Sequence, residues 1–239
     1  MAEHNYISLD EFRDLLFYQF GLKEQSAKRA AARYLKALQQ RQIIHSFPVH
    51  FSHKRKLYCL TGFGYGILFD ADRLRCNPRN KFSPSKFQPN LLGHEIAVVQ
   101  TRIIMESHPY IKDFKPEKVL YYNYWQSHGK PPKGKSCDAQ MKAEAPGRSY
   151  NIGVEVQISR KAKDMYSKYI RTQEQAGGLD VVLWICRDKT IMGGIQQAAR
   201  RQTVELKYLF TTLPELRAKG LAESTWQNIE GTPGHIFRE

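Results

Sequence analysis

The chain has 239 residues, of which 41% are hydrophobic and 12% aromatic; that is enough apolar material for a packed core and excludes wholesale disorder. No stretch reaches the roughly 20 apolar residues a membrane helix needs, and the four cysteines form no CxxC pair, which argues against membrane insertion, a disulfide framework and a zinc knuckle. Lys and Arg number 37 against 23 Asp and Glu, a formal net charge of +14. Such an excess implies a polyanionic partner, nucleic acid above all, because each neutralised phosphate releases a counterion.

The opening residues, MAEHNYISLDEF, lack the apolar core of a secretory signal, so the expectation is a cytoplasmic chain with reduced thiols. Ser8 and Glu11 have capping-box spacing and predict a helix to about Phe20, stopped by Gly21. A second helix is predicted over 24–40, with Ala27, Ala31, Tyr34, Leu35 and Leu38 on its apolar side. Strand patterns follow in IIHSFPVHF and KLYCLTGFGYGILF, joined by a basic tip, His53-Lys54-Arg55-Lys56. Two helices and a basic-tipped hairpin resemble a winged helix-turn-helix. In such a domain Lys28, Arg29, Arg33, Lys36 and Arg41, with His53, Lys54, Arg55 and Lys56 of the tip, would contact DNA. His45, His50 and His53 lie in the predicted wing without metal-ligand spacing. GFGYG after the strand lacks the lysine of a phosphate loop.

Residues 76–90 hold three prolines and several cations and read as a basic linker. The expected division is therefore a DNA-binding domain over 1–75, the linker, and a second domain over 91–239. In the second domain a helix is predicted over 91–105, then strands over 119–125, 136–142 and 151–158. Tyr121, Tyr122 and Tyr124 alternate in the first of these. A Pro-Gly turn over 145–148 separates the last two. A charged helix over 159–175, a buried strand over 180–186, a helix over 192–202 and a strand over 204–210 complete an α/β order, α+β overall, with a mixed sheet.

Chemistry concentrates on Asp138, Glu155 and Gln157. Asp138 and Glu155 fall on consecutive predicted strands across a tight turn, and Glu155 and Gln157, two apart, leave the same sheet face. Two carboxylates and an amide oxygen suit a hard divalent cation, which activates water or steadies a leaving oxygen. Lys161 and Lys168, seven apart, share a face of the predicted helix and offer a nearby cation. Tyr166 and Tyr169 lie close by and offer a tyrosine nucleophile as an alternative to water.

Asp138, the Glu155-x-Gln157 pair and a downstream lysine resemble the ExQ variant of the PD-(D/E)xK restriction-endonuclease-like site. The preceding winged-helix pattern, the helix beginning LLGHE and the run EVQISRKAKDMYSKY resemble the MobC-type (MOB-C family) plasmid mobilization relaxases, related to replication-relaxation proteins. The resemblance implies a PD-(D/E)xK nuclease-like mixed-sheet domain behind a winged helix. It implies a site-specific nickase that acts at a plasmid transfer origin, with Mn²⁺ or Mg²⁺ held by Asp138, Glu155 and Gln157. Gln157 departs from the acid found in many relatives and occupies the place of the usual lysine, which Lys161 or Lys168 would supply from the helix. Glu95 matches a position where the wider fold adds an acid. An accessory relaxosome protein and a coupling protein are implied as partners. The alternative is a non-catalytic replication or partition factor whose nuclease domain has lost its chemistry; a further one is an endonuclease that cuts both strands.

Overall fold

The computed structural model describes residues 4, 6–48, 56–71, 88–130, 132 and 137–237. The chain forms two compact units, Met1–Ile103 with Tyr121–Lys130, and Ile104–Leu120 with Pro131–Glu239. The mixture of helices with a mixed sheet agrees with the expected α+β class.

The first unit begins with strand β1 (Ile7–Ser8), helix α1 (Leu9–Phe20) and helix α2 (Glu24–Gln40). The capping box forms as its spacing requires: the Ser8 amide and hydroxyl both donate to the Glu11 carboxylate, and the hydroxyl accepts from Asp10 N. Gly21 ends α1 at φ 63°, the left-handed conformation that favours glycine. The Gln100 amide donates to Glu11 Oε1 at 3.0 Å, so this fully buried acid also ties α1 to helix α4 (Leu92–Glu106). The buried stripe of α2 is Ala27, Ala30, Ala31 and Leu35. Tyr34 departs from the expected apolar side: it is exposed, with the Arg33 guanidinium 5.6 Å from its ring centre.

Strands β2 (Ile44–Pro48) and β3 (Lys56–Leu60) pair antiparallel, and β1 adds to the other edge of β3. The strand expected to run on through GFGYG stops at Leu60. Helix α3 (Gly62–Asp70) follows, and Thr61 Oγ1 accepts from Gly64 N at 3.0 Å. A β-carbon at Gly64 would stand 2.2 Å from the Ile43 carbonyl oxygen, so only glycine permits this close turn. Of the expected linker, 76–87 lies outside the described residues; Pro89–Leu91 forms a short 3₁₀ turn into α4.

The second unit is built on a seven-stranded mixed sheet. Its strands are β4 (Ile111–Pro116), β5 (Ala139–Ala145), β6 (Arg148–Gln157), β7 (Val181–Cys186), β8 (Lys207–Thr212), β9 (Trp226–Gln227) and β10 (Pro233–Gly234), in spatial order β10-β9-β8-β7-β6-β5-β4. Strands β4 to β6 are antiparallel neighbours, β6 to β8 parallel ones. The β5–β6 turn forms at Pro146-Gly147, with Gly147 at φ 75°; proline followed by left-handed glycine is type II turn chemistry. Helices α6 (Lys163–Ala176) and α7 (Lys189–Arg200) cover one face, where Tyr166, Ile170, Ile191 and Ile195 pack on Val182, Trp184, Cys186, Tyr208 and Phe210. Helix α8 (Leu213–Glu223), absent from the sequence reading, starts at a Thr212 cap.

The largest correction concerns 119–125. These residues are not a strand but part of helix α5 (Glu117–His128), and Tyr121 and Tyr124 are surface residues at 44% and 36% exposure. Their β-prone composition loses to context. Glu117 opens the helix after Pro116 with an acid in its first turn, Gly129 closes it at φ 67°, and the sheet position goes to β4 instead. Strand β4 escaped the reading because IKDFKP is charged and irregular; its register shifts between Lys112 and Lys115 around Asp113 at φ 51°.

Candidate active site and basic surfaces

The pairing of β5 with β6 sets the site. Ala139 stands opposite Val154, so the next residue outward, Asp138, comes level with Glu155. Directly opposed residues hold their β-carbons about 5 Å apart. The Asp138 carboxylate reaches across and accepts a 2.8 Å hydrogen bond from Val156 N, continuing the ladder with a side chain where the strand has run out. This charge-assisted bond fixes one carboxylate oxygen against β6. Asp138 is 2% exposed, Glu155 5% and Gln157 2%.

Glu155 and Gln157 pair with Trp184 and Cys186 of β7, and so face the same side of the sheet as α6 and α7. Burial beside this face pushes the Cys186 thiol far above its ordinary range, with Asp188 adding to the effect, so Cys186 is an inert thiol. The Gln157 amide nitrogen donates to the Ser159 carbonyl oxygen at 2.5 Å, an orientation that assigns Oε1 as the pole for a cation. The structure thus brings together three of the residues expected to form the site, and their oxygen donors are the hard kind that suits Mg²⁺ or Mn²⁺. Among the described residues no group of three His, Cys, Asp and Glu side chains converges, so any cation here relies on the amide, water or phosphate for further ligands.

The remaining candidates are distributed differently. Lys161 is not on a helix; it lies two residues ahead of α6, so helical spacing does not relate it to Lys168. Its Nζ donates to Tyr169 Oη at 2.8 Å and stands 4.4 Å from the ring centre, and its amide donates to Tyr166 Oη at 2.9 Å. Lys161 is thereby anchored four residues past Gln157, whereas Lys168 is exposed on α6. Tyr166 is buried and Tyr169 half-buried. Glu95 sits half-buried on α4 in the first unit, where its charge adds to the burial that raises the Tyr6 hydroxyl.

Two residues of the neighbourhood escaped sequence reasoning. Gly153, two before Glu155, faces Cys137; a β-carbon there would meet Cys137 Sγ at 2.8 Å and Leu179 Cδ1 at 3.0 Å. A larger residue would displace the chain next to Asp138. The second is Lys118 in the first turn of α5, whose ammonium is shielded from solvent. Glu117 N in the same turn donates to the Asp138 carbonyl oxygen at 2.8 Å, which brings this lysine's backbone near the acid pair. Reading 119–125 as a strand hid it. A glycine inside a strand was the available signal for Gly153.

In the first unit, Lys28, Arg29, Arg33 and Lys36 are all exposed on α2, opposite its buried alanine stripe, and Arg41 is exposed just past the helix end. Lys56 is exposed at the start of β3. His53, Lys54 and Arg55 lie outside the described residues, as does His50. His45 is a partner of Cys59 at 3.1 Å, and burial pushes that thiol up to about 12.

No protein-family model, no curated protein and no solved structure matches the chain.

Proposed function

We propose that this protein is a metal-dependent DNA nickase of the plasmid-mobilization kind. In this reading a winged-helix first unit holds transfer-origin DNA and a PD-(D/E)xK-like second unit cuts one strand. The observation that carries the proposal is the Asp138 carboxylate, fixed by Val156 N level with Glu155 and beside Gln157. A bound Mn²⁺ or Mg²⁺ would supply Lewis-acid charge stabilisation and an acidified water. Asp138 and Glu155 supply its anionic ligands and Gln157 a neutral one. Cleavage adds a water oxygen to phosphorus, breaks one P–O ester bond and leaves the departing oxygen protonated. Lys161, anchored by Tyr169, is better placed than the exposed Lys168 to oppose charge on the phosphate. The basic face of α2 meets the DNA backbone. An accessory relaxosome protein and a coupling protein are the proposed partners.

The test is incubation of supercoiled plasmid carrying the transfer origin with Mn²⁺. Open-circular product is expected, and D138N and E155Q each lower the rate on the order of 10³-fold, about 4 kcal/mol of transition-state stabilisation. Variants that nick as fast as the parent sink the assignment. Linear product instead identifies an enzyme that cuts both strands. DNA binding without cutting and without calorimetric Mn²⁺ binding identifies a non-catalytic DNA binder.

A further inference from the structure

Beyond the end of β6 lies a second feature of the second unit. A cleft of about 600 Å³ opens between the entry to α6 and the outer side of α7. Arg160, Lys161, Lys163 and Arg200 line it, and none of its lining residues is acidic.

This placement is electrostatically costly in the isolated protein. The first turn of a helix carries roughly half a positive charge from its aligned peptide dipoles, which favours acids there and disfavours cations. The entry to α6 instead collects Arg160, Lys161 and Lys163, offset in the first turn by Asp164 alone. The helix cap, Ala162, offers no side chain to the first amides. Arg200 is held by the Ile229 carbonyl oxygen at 2.8 Å and by Glu230 at 3.6 Å, so the other three cations remain the main source of positive charge.

The floor of the cleft carries a second cost. Gly193 and Gly194 sit inside α7 and line the cleft, and a glycine in a helix interior costs about 1 kcal/mol relative to alanine. Packing does not demand them. A β-carbon at Gly193 would meet nothing within 4 Å, and one at Gly194 would make only an ordinary 3.7 Å contact with Tyr166. The pair leaves bare backbone where a side chain would otherwise fill the space.

We propose that this cleft is a phosphate-binding subsite that takes a backbone phosphate of the DNA strand engaged by the second unit. The inference rests on the nickase reading for the identity of the strand. Three cations at a helix entry, one anchored cation opposite and a floor cleared of side chains accommodate a phosphodiester group, and Lys161, which lines the cleft, follows Gln157 by four residues along the chain.

The experiment is fluorescence anisotropy with labelled DNA carrying the transfer origin, in EDTA so that cutting cannot intervene, across a salt series. Three variants are compared with the parent: R160A/K163A, the charge-matched control K142A/K207A at exposed positions away from the cleft, and G193L. We expect R160A/K163A to weaken binding at least about tenfold and to flatten the log–log salt slope by between about 1 and 2. The control should change affinity less than about twofold, as diffuse charge should. G193L leaves the charge untouched and favours the helix, so it should raise thermal stability while weakening DNA binding. Equal losses in R160A/K163A and the control, or full affinity in G193L, overturn the subsite. So does calorimetric binding of inorganic phosphate that R160A/K163A abolishes while DNA affinity stays unchanged, because the cleft would then serve a free phosphate. The nickase reading fails separately, by plasmid cutting that D138N and E155Q do not slow. Binding losses confined to the cleft variants would survive that failure.

Discussion

The two units handle charge in opposite ways. In the first, cations stand outward on α2, one helix face away from an alanine stripe, and the buried acid Glu11 is consumed by a cap and by Gln100. In the second, two acids are drawn to the end of a sheet beside an amide, while cations gather around a cleft at the next helix entry. Exposed charge acts through water and is screened by salt, so it suits steering and backbone contact. Buried carboxylates need a cation or donors to stay ionised, so they suit a site where charge is concentrated. Under the proposed function, the difference suits α2 to contact along the DNA backbone and the acid pair of the second unit to localised chemistry, with the cleft beside it as a further phosphate contact.

The contrast can be broken by attacking the frame that holds the buried acids. Trp184, fully buried on β7 and in register with Glu155, is the strongest point. Trp184→Ala should cost about 3–5 kcal/mol in urea unfolding. Trp184→Phe should cost far less, since Nε1 is buried with no hydrogen-bond partner and its removal forfeits no bond. A similar loss for both would mean that the indole N–H matters after all. Gly153→Ala tests the site more finely: by displacing Cys137 beside Asp138 it should lower calorimetric Mn²⁺ affinity about tenfold to a hundredfold. Unchanged affinity would detach this glycine from the site.

On the first unit, Arg29→Ala with Arg33→Ala should weaken DNA binding and reduce the salt slope by between about 1 and 2, with little effect on the melting temperature. A slope identical to the parent's would remove α2 from the interface. Ser8→Ala, which strips the cap and one partner of the buried Glu11, should cost about 1–2 kcal/mol. The smallest effect sits at His108, whose ring stacks on Phe237 at 4.9 Å. Burial lowers its pKa below the ordinary 6.5, so folding favours the neutral ring. That contribution is complete above about 6.5 and is lost as pH falls through the folded value. His108→Phe should therefore flatten the stability–pH curve on the acid side of about pH 7; an unaltered curve would place the acid sensitivity elsewhere.

Legibility followed the range of the forces involved. The α1 capping box, the Gly21 stop, the Pro146-Gly147 turn and the apolar run of β7 depend on neighbours within a few residues, and all four were readable. So was the hairpin that sets Asp138 level with Glu155, because a short hairpin admits few registers, although Asp138 itself stands one residue ahead of β5 rather than on the expected strand. The helices α3 and α5 were not readable: their glycines, tyrosines and β-branched residues favour strand or turn, and tertiary contacts overrule that preference.

By itself, then, the sequence determined the excess of positive charge, the amphipathic α2 and the alternation that sends Glu155 and Gln157 to one sheet face, since each is local or additive. Only the tertiary structure decided that Asp138 caps the end of the β5–β6 ladder, that Lys161 is tied back to Tyr169, and that Arg160 and Lys163 share a cleft with Gly193. Those arrangements join residues from separate elements, and packing between elements, rather than any local preference, sets the distances among them.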